Sequence, residues 1–321
     1  MSGGASNQGN QGNQGNQGNQ GNQGNQGNQG NQGNQGNTGN AGGTGWFFAD
    51  RVDLPFVAEP ATAAWTRISD GEYRAGHEGR FGRRWSGGWR AWHVLAEFTD
   101  GEAWRNRQRR SGEPAAGEGG LAILGWRQRL PKGGKSLRQA VDDEIDELIR
   151  LAEDERADAM GEIVTQSDEF ISQFMGVLCA RPASHPATFA ALTSASMVAA
   201  LAVQHFKMLE DRPRPSQVCA ALRPAIEVPG HAAYPSGHAT QAFLMAHVAR
   251  AVLQGSPWEK AQEAVDALAA RIARNREIAG VHYRSDTEVG RELAEALRKA
   301  LVAVPLARAQ VKAAREEWAE Q

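Results

Sequence analysis

From Ser136 to the end of the chain the apolar residues recur three and four positions apart, and nowhere do they alternate strongly in the two-residue rhythm of a strand. That pattern argues against sheet architectures and for a helix bundle. "SLRQAVDDEIDELIRLAEDERADAM" sets Leu137, Val141, Ile145, Leu148 and Leu151 on one stripe, which leaves the acidic run Asp142, Asp143, Glu144, Asp146 and Glu147 on a solvated face. Further helices are expected over about 167–178, about 187–209 and from about His238 past Val252. "SPWE" opens the next, with Ser256 as N-cap, Pro257 in the first helical position and Glu259 closing a capping box. Two more run from about Asp286 to a stop before Pro305 and over about 306–318. Prolines 213, 215, 224, 229 and 235 force a long loop ahead of His238. The predicted class is all-α, a bundle of six or more helices over residues 136–321.

Ahead of the bundle the composition changes twice. Residues 1–45 carry the triplet NQG without a break from Asn7 to Gly36. A segment with almost no apolar side chain cannot offset its chain entropy, so a disordered, uncharged tail is expected. Residues 46–135 hold seven of the nine Trp, in stretches such as "GRFGRRWSGGWRAWHV" and "AWRNRQRR". A basic aromatic surface suits single-stranded nucleic acid. Here Asp70, Glu72, Glu78, Glu97, Asp100 and Glu102 dilute the charge, and the whole chain has a formal net charge of -2. The expectation is an irregular region whose Trp rings pack on the helices while Arg heads stay in water, with no specific nucleic-acid partner. Two cysteines, Cys179 and Cys219, make neither a disulfide framework nor a zinc spacing, and are expected to be buried small apolar residues. The N-terminus shows no basic-then-apolar leader, and the longest uncharged run, near Ala190–Phe206, is broken by Thr, Ser, Gln and His. A soluble, cytoplasmic chain without a membrane span is therefore expected.

Three segments carry the chemistry. In the first, Lys207 lies near a helix end and Arg214-Pro215 in the proline-stiffened loop, with Arg212-Pro213 as a competing register; cations there could also be ordinary helix C-terminal partners. In the second, Pro235-Ser236-Gly237-His238 precedes a helix, whose N-terminus offers backbone N–H groups and a hydroxyl to an anion, or else Ser236 is a plain N-cap. In the third, Asn275-Arg276 ends a helix, His282 sits in the loop, and Asp286 opens the next helix. Asp286 can accept a hydrogen bond from one imidazole nitrogen of His282, which would fix the tautomer and expose the other nitrogen as nucleophile or ligand, or else Asp286 is a plain N-cap and His282 a loop histidine.

Taken in order, "KMLEDRPRP", "PSGH" and "NREIAGVHYRSD" resemble the acid phosphatase and vanadium haloperoxidase superfamily, which also contains the type-two phosphatidate phosphatases. That family's pattern is K-x6-RP, PSGH and SR-x5-H-x3-D; Asn275 stands here where the family has Ser. The resemblance covers roughly residues 207–286 with the preceding helix, and none of it extends to residues 46–135. It implies a phosphomonoester hydrolase working without metal or cofactor on a small phosphorylated substrate. His282 would be the nucleophile, forming a phosphohistidine, with Asp286 orienting it and His238 acting as acid, then base. Lys207, Arg214, Ser236, Gly237 and Arg276 would hold the phosphoryl group. The family implies a second chemistry in the same pocket, with vanadate bound through His282 and peroxide-driven halide oxidation. "AYPSGHAT" looks like the haloperoxidase form of the turn, and His231, seven residues before His238, has a spacing similar to that of bromide-oxidising members, which makes it a candidate halide-site or supporting residue. A third reading, a non-catalytic phosphate or headgroup binder, leaves the His238, His282 and Asp286 set without a purpose.

Overall fold

The computed structural model describes residues 86–130 and 133–319; the tail expected over residues 1–45 and the stretch 46–85 lie outside the described residues. The longer helices are α1 (Gly87–Asp100), α2 (Leu137–Asp154), α3 (Arg156–Thr165), α4 (Ile171–Val177), α5 (Pro186–Glu210), α6 (Gly237–Leu253), α7 (Ala261–Ile278), α8 (Arg284–Val302) and α9 (Pro305–Glu316). Among the described residues there are no strands, so the chain is all-α.

Alanine builds the centre. α5 buries Ala190, Ala191, Ala195, Ala199 and Ala202, and α6 buries Ala239, Ala242, Ala246 and Ala249. Small side chains let helix axes approach closely, and α6 packs against α5, α7 and α8 while α5 also takes α1 and α9. By length and composition the stretch Pro186–Val218, which includes α5, could cross a membrane, with mean hydropathy 1.6; 56% of that window is buried within the bundle, where α5 is the core helix. α8 crosses the first turn of α6 at Gly290. A Cβ there would lie 3.1 Å from the Ser236 carbonyl oxygen, the Thr240 hydroxyl and the Ala239 methyl. This close approach sets up the backbone bond from Ser236 N–H to the Asp286 carbonyl, 3.0 Å.

Several expectations change. "SPWE" does not open α7: Ser256–Lys260 form turns, and α7 starts at Ala261 without a side-chain cap. Ser256 turns back instead, its hydroxyl donating to the Leu253 carbonyl and accepting from Trp258 N–H. The helix after Ser136 begins with a capping box to Gln139 but breaks at Glu155. There Arg156 donates to the carbonyls of Ile278, Leu222 and Arg223, tying the junction to the end of α7. Within the expected irregular region α1 is a 14-residue helix that buries Ala91, Val94 and Phe98. Trp126 is buried as expected, but Trp89 and Trp92 on α1 are more than half exposed. Cys179 is exposed, at a left-handed position (φ 51°) after α4, and Cys219 is half-buried.

Glu277 on α7 is a buried carboxyl outside the expected site. Burial raises it to about 7, with Glu147 adding repulsion and Thr287 and Arg274 opposing. A raised carboxyl pKa favours the protonated fold, so this stabilising contribution is full at acid pH and is lost as pH rises from the unfolded value through about 7. Glu277→Gln, which mimics the protonated form, is expected to raise stability by ~1–3 kcal/mol at pH 8 and by much less at pH 5. Thermal melts at both pH values measure this, and an equal effect at both would refute it.

Candidate active site

The three segments meet at the N-terminal end of α6. Lys207, in the last turn of α5 and 2% exposed, points under the loop before Pro235. Its ammonium donates to the carbonyls of Ala232 (2.6 Å) and Ala233 (2.9 Å). Burial, then the neighbouring Arg214, push it well below the usual lysine range, against a smaller pull from Asp286. The backbone bond from Ala233 N–H to the Arg212 carbonyl (2.9 Å) fastens the first segment to the second.

Arg214 is the hub. It donates from Nε to the His231 carbonyl (3.0 Å), from Nη1 to the Val281 carbonyl (2.7 Å) and to His282 Nε2 (3.1 Å), and from Nη2 to His231 Nδ1 (3.0 Å). A guanidinium can only donate, so both imidazole nitrogens accept. His282 Nδ1 lies 3.0 Å from Asp286 Oδ2, a carboxylate that can only accept. His282 therefore carries its proton on Nδ1 and presents the Nε2 lone pair toward the cations. Burial, then Arg214, hold this imidazole well below the ordinary histidine range, so it is neutral.

Asp286 accepts from His282, from Tyr283 N–H (3.0 Å) and from Arg212 Nη1 (2.6 Å). Burial pushes its pKa up; Arg212 and these hydrogen bonds overcome that and hold it below the usual carboxylate range. The two candidate registers of the first segment thus divide: Arg214 faces His282, whereas Arg212 is an internal ion-pair partner.

Ser236 is fully buried and caps α6, its oxygen accepting from Ala239 N–H at 3.4 Å. A Cβ on Gly237 would meet only Val203, at 3.7 Å. The His238 ring stacks on Phe170 (centroids 5.0 Å apart) and its Nε2 donates to the Gln166 carbonyl (2.9 Å). Burial, then Arg276, lower His238 to about 3, with the Gln166 and Ser167 backbones opposing. Arg276 is 2% exposed, and its Nε and Nη1 are buried without a hydrogen-bond partner in the protein. Burial and Arg214 bring it down to about 10. His231 is exposed at the rim. Lys207, Arg214 and Arg276 thus crowd two neutral imidazoles, and Arg276 aims orphaned N–H groups; a tetrahedral oxyanion is the guest that would relieve both.

The apolar stripe of α2 predicts Glu144 on a solvated face. In the fold its carboxylate reaches Arg212 Nη2 (2.6 Å) and Ser285 N–H (2.9 Å). Arg212 stacks on Tyr283 (3.7 Å to the ring) and lies over Trp126 (5.2 Å). Glu210 fixes Trp126 in turn, accepting from its backbone and indole N–H groups. Two clefts of about 940 and 620 Å³ open elsewhere and share no residue with this cluster.

Residues 188–309 match the PAP2 superfamily. That match lies within the helical region and supports its likeness to the acid phosphatase and haloperoxidase superfamily. No curated protein matches the chain. PAP2 members are generally phosphatases or haloperoxidases, which supports an enzyme of that broad kind. The matched PAP2 segment contains Lys207, Arg214, the PSGH turn, Arg276, His282 and Asp286, whereas Glu144, Trp126 and Gln166 precede it.

Proposed function

We propose that the protein hydrolyses phosphoric monoesters through a phosphohistidine, with side-chain cations in place of a metal ion. The observation that carries this reading is the His282 imidazole, neutral, with Nδ1–H on Asp286 and its Nε2 lone pair facing Arg214, with Lys207 close by. A phosphoryl group in transfer spreads charge over three equatorial oxygens, and three cations with Ser236 and Gly237 supply donors for them. Loss of one such donor typically raises a barrier by about 2.7–4 kcal/mol.

In the first step His282 Nε2 forms a bond to phosphorus as the bond to the ester oxygen breaks, and His238 gives that oxygen its proton. In the second, water attacks phosphorus, His238 takes a proton from it, and the P–N bond returns its electron pair to Nε2. His238 is lowered to about 3 by burial and by cationic neighbours. A bound dianion offsets that repulsion and raises the imidazole, so arrival of substrate itself favours the protonated acid.

The same donors fit vanadate, with His282 Nε2 as its ligand. The contact of His231 with Arg214 at the exposed rim supports halide oxidation as the second reading. A passive headgroup binder has no use for a tautomer fixed by a buried carboxylate.

Release of phosphate from p-nitrophenyl phosphate is expected to persist in EDTA and to be inhibited by orthovanadate. Activity abolished by EDTA would overturn the metal-independent mechanism. Orthovanadate with peroxide and bromide that brominates a dye, with no ester hydrolysis in its absence, would replace the phosphatase by the haloperoxidase.

A further inference from the structure

We propose that Asn275 is a positioning residue for His238, acting through Gln166 to make Nδ1 the nitrogen that moves the catalytic proton; the catalytic part rests on the phosphatase reading above. Asn275 and Gln166 are both buried, at 3% and 1% exposure. The Asn275 amide donates to Glu162 Oε2 (3.0 Å) and to Gln166 Oε1 (2.9 Å). Gln166 then donates from its own amide to Gln173 Oε1 (3.0 Å).

The direction of this chain is forced. A carboxylate only accepts, so Asn275 must turn its NH₂ toward Glu162. Its second proton meets the Gln166 oxygen, which sends the Gln166 NH₂ to Gln173. Neither amide can flip without setting like against like. With its side chain held at both ends, its own N–H on the Glu162 carbonyl (2.8 Å) and the Ser167 N–H, which shares a peptide plane with the Gln166 carbonyl, on the Val164 carbonyl (3.2 Å), the Gln166 carbonyl is held toward His238. A carbonyl only accepts, so His238 Nε2 keeps its proton in the neutral ring and Nδ1 is the basic nitrogen. Phe170 fixes the ring plane. A serine at position 275 has one proton and can serve only one of the two acceptors. The aspartate isostere has none and would face Glu162 with a like charge.

The test compares wild type with Asn275→Ala, Asn275→Asp and Asn275→Ser on two esters. p-Nitrophenol leaves readily without a proton, whereas the alcohol of n-butyl phosphate needs one. kcat/KM reports the first irreversible step, in which the leaving group departs. The Ala and Asp variants are expected to lose roughly 10–100-fold on n-butyl phosphate and less than about threefold on p-nitrophenyl phosphate. Ser should fall in between, and orthovanadate inhibition should stay within about twofold of wild type, since the three cations are untouched. Equal losses on both esters, or none, would overturn the proposal. A second readout does not need turnover: ¹⁵N NMR of the imidazoles, with His238 assigned by substitution, should show the Nε2–H tautomer in wild type and a mixture in Asn275→Asp. An Nδ1–H tautomer in wild type, or an unchanged tautomer in Asn275→Asp, sinks the positioning claim. If wild type hydrolyses neither ester, the phosphatase reading fails, and the tautomer measurement alone decides whether Asn275 positions His238.

Discussion

His282→Ala is expected to abolish hydrolysis of p-nitrophenyl phosphate, by on the order of 10⁴-fold or more, while the protein still binds orthovanadate as an anion. The two effects separate because attack and charge neutralisation reside in different groups. Nε2 of His282 is held with its lone pair facing Arg214 by a proton fixed on Nδ1. Lys207 keeps its bonds to the Ala232 and Ala233 carbonyls without it, and Arg214 keeps those to Val281 and His231. The truncated pocket therefore keeps its donors. Free imidazole, diffusing into the space, should restore part of the turnover, and ³¹P NMR of quenched wild-type enzyme should show an acid-labile P–N species that the variant lacks. Phosphate release within about tenfold of wild type, far above the loss expected for a missing nucleophile, would mean that the attacking group lies elsewhere. Asp286→Asn is the informative partner. It must put an amide N–H against either His282 or Arg212, both of which already donate to that side chain. Either arrangement favours proton loss from Nδ1 or disrupts the Arg212 contact, so activity should fall with little change in size or shape.

How much of this could be read from the chain depends on whether a residue's neighbours are near it in sequence. Helix positions were readable because the apolar spacing of α2, α5 and α8 is local. The PSGH turn was readable because Pro and Gly constrain their own backbone. "SPWE" misled because a capping signature is also a turn signature, and the contacts of Ser256 with Leu253 and Trp258 favour the turn. α1 was missed because its buried stripe is only Ala91, Val94 and Phe98, with Trp89 and Trp92 on the outside. The supporting residues were hidden for a different reason. Glu144 looks like any acid on an amphipathic helix until α2 is laid beside the start of α8, 141 residues on. Gln166 shows no local signal at all; its role arises only where the end of α3 meets α6 and α7. The one available hint was the second Arg-Pro: two registers in "DRPRP" meant two arginines in the same loop, and the fold gives each a distinct partner.

Arg212→Ala is expected to destabilise the fold by about 3–5 kcal/mol, the usual penalty for removing one side of a buried ion pair. For a chain of this size that lowers the melting midpoint by roughly 10 °C. The guanidinium is 1% exposed and joins three elements: Glu144 on α2, Asp286 and Ser285 on α8, and the Trp126 and Tyr283 rings on either side. Without it the fully buried Asp286 keeps only His282 and the Tyr283 N–H. Arg212→Lys should recover little, because one ammonium cannot reproduce a fork that serves two carboxylates. Arg284→Ala is the control, since its own side chain is exposed and its pairs with the half-buried Glu147 and the exposed Glu288 are worth ~0–1 kcal/mol. The pH dependence identifies the cause. In wild type Asp286 is held below its unfolded pKa, so its stabilising contribution is present above that value and is lost as pH falls. Without Arg212, burial dominates and raises the folded pKa. The variant's penalty then grows as pH rises and shrinks as the carboxyl takes up a proton. The stability gap between wild type and Arg212→Ala should therefore be widest near neutrality and narrow as pH drops toward 4. A gap that is constant with pH would show that packing against Tyr283 and Trp126, rather than the charge on Asp286, is what Arg212 supplies.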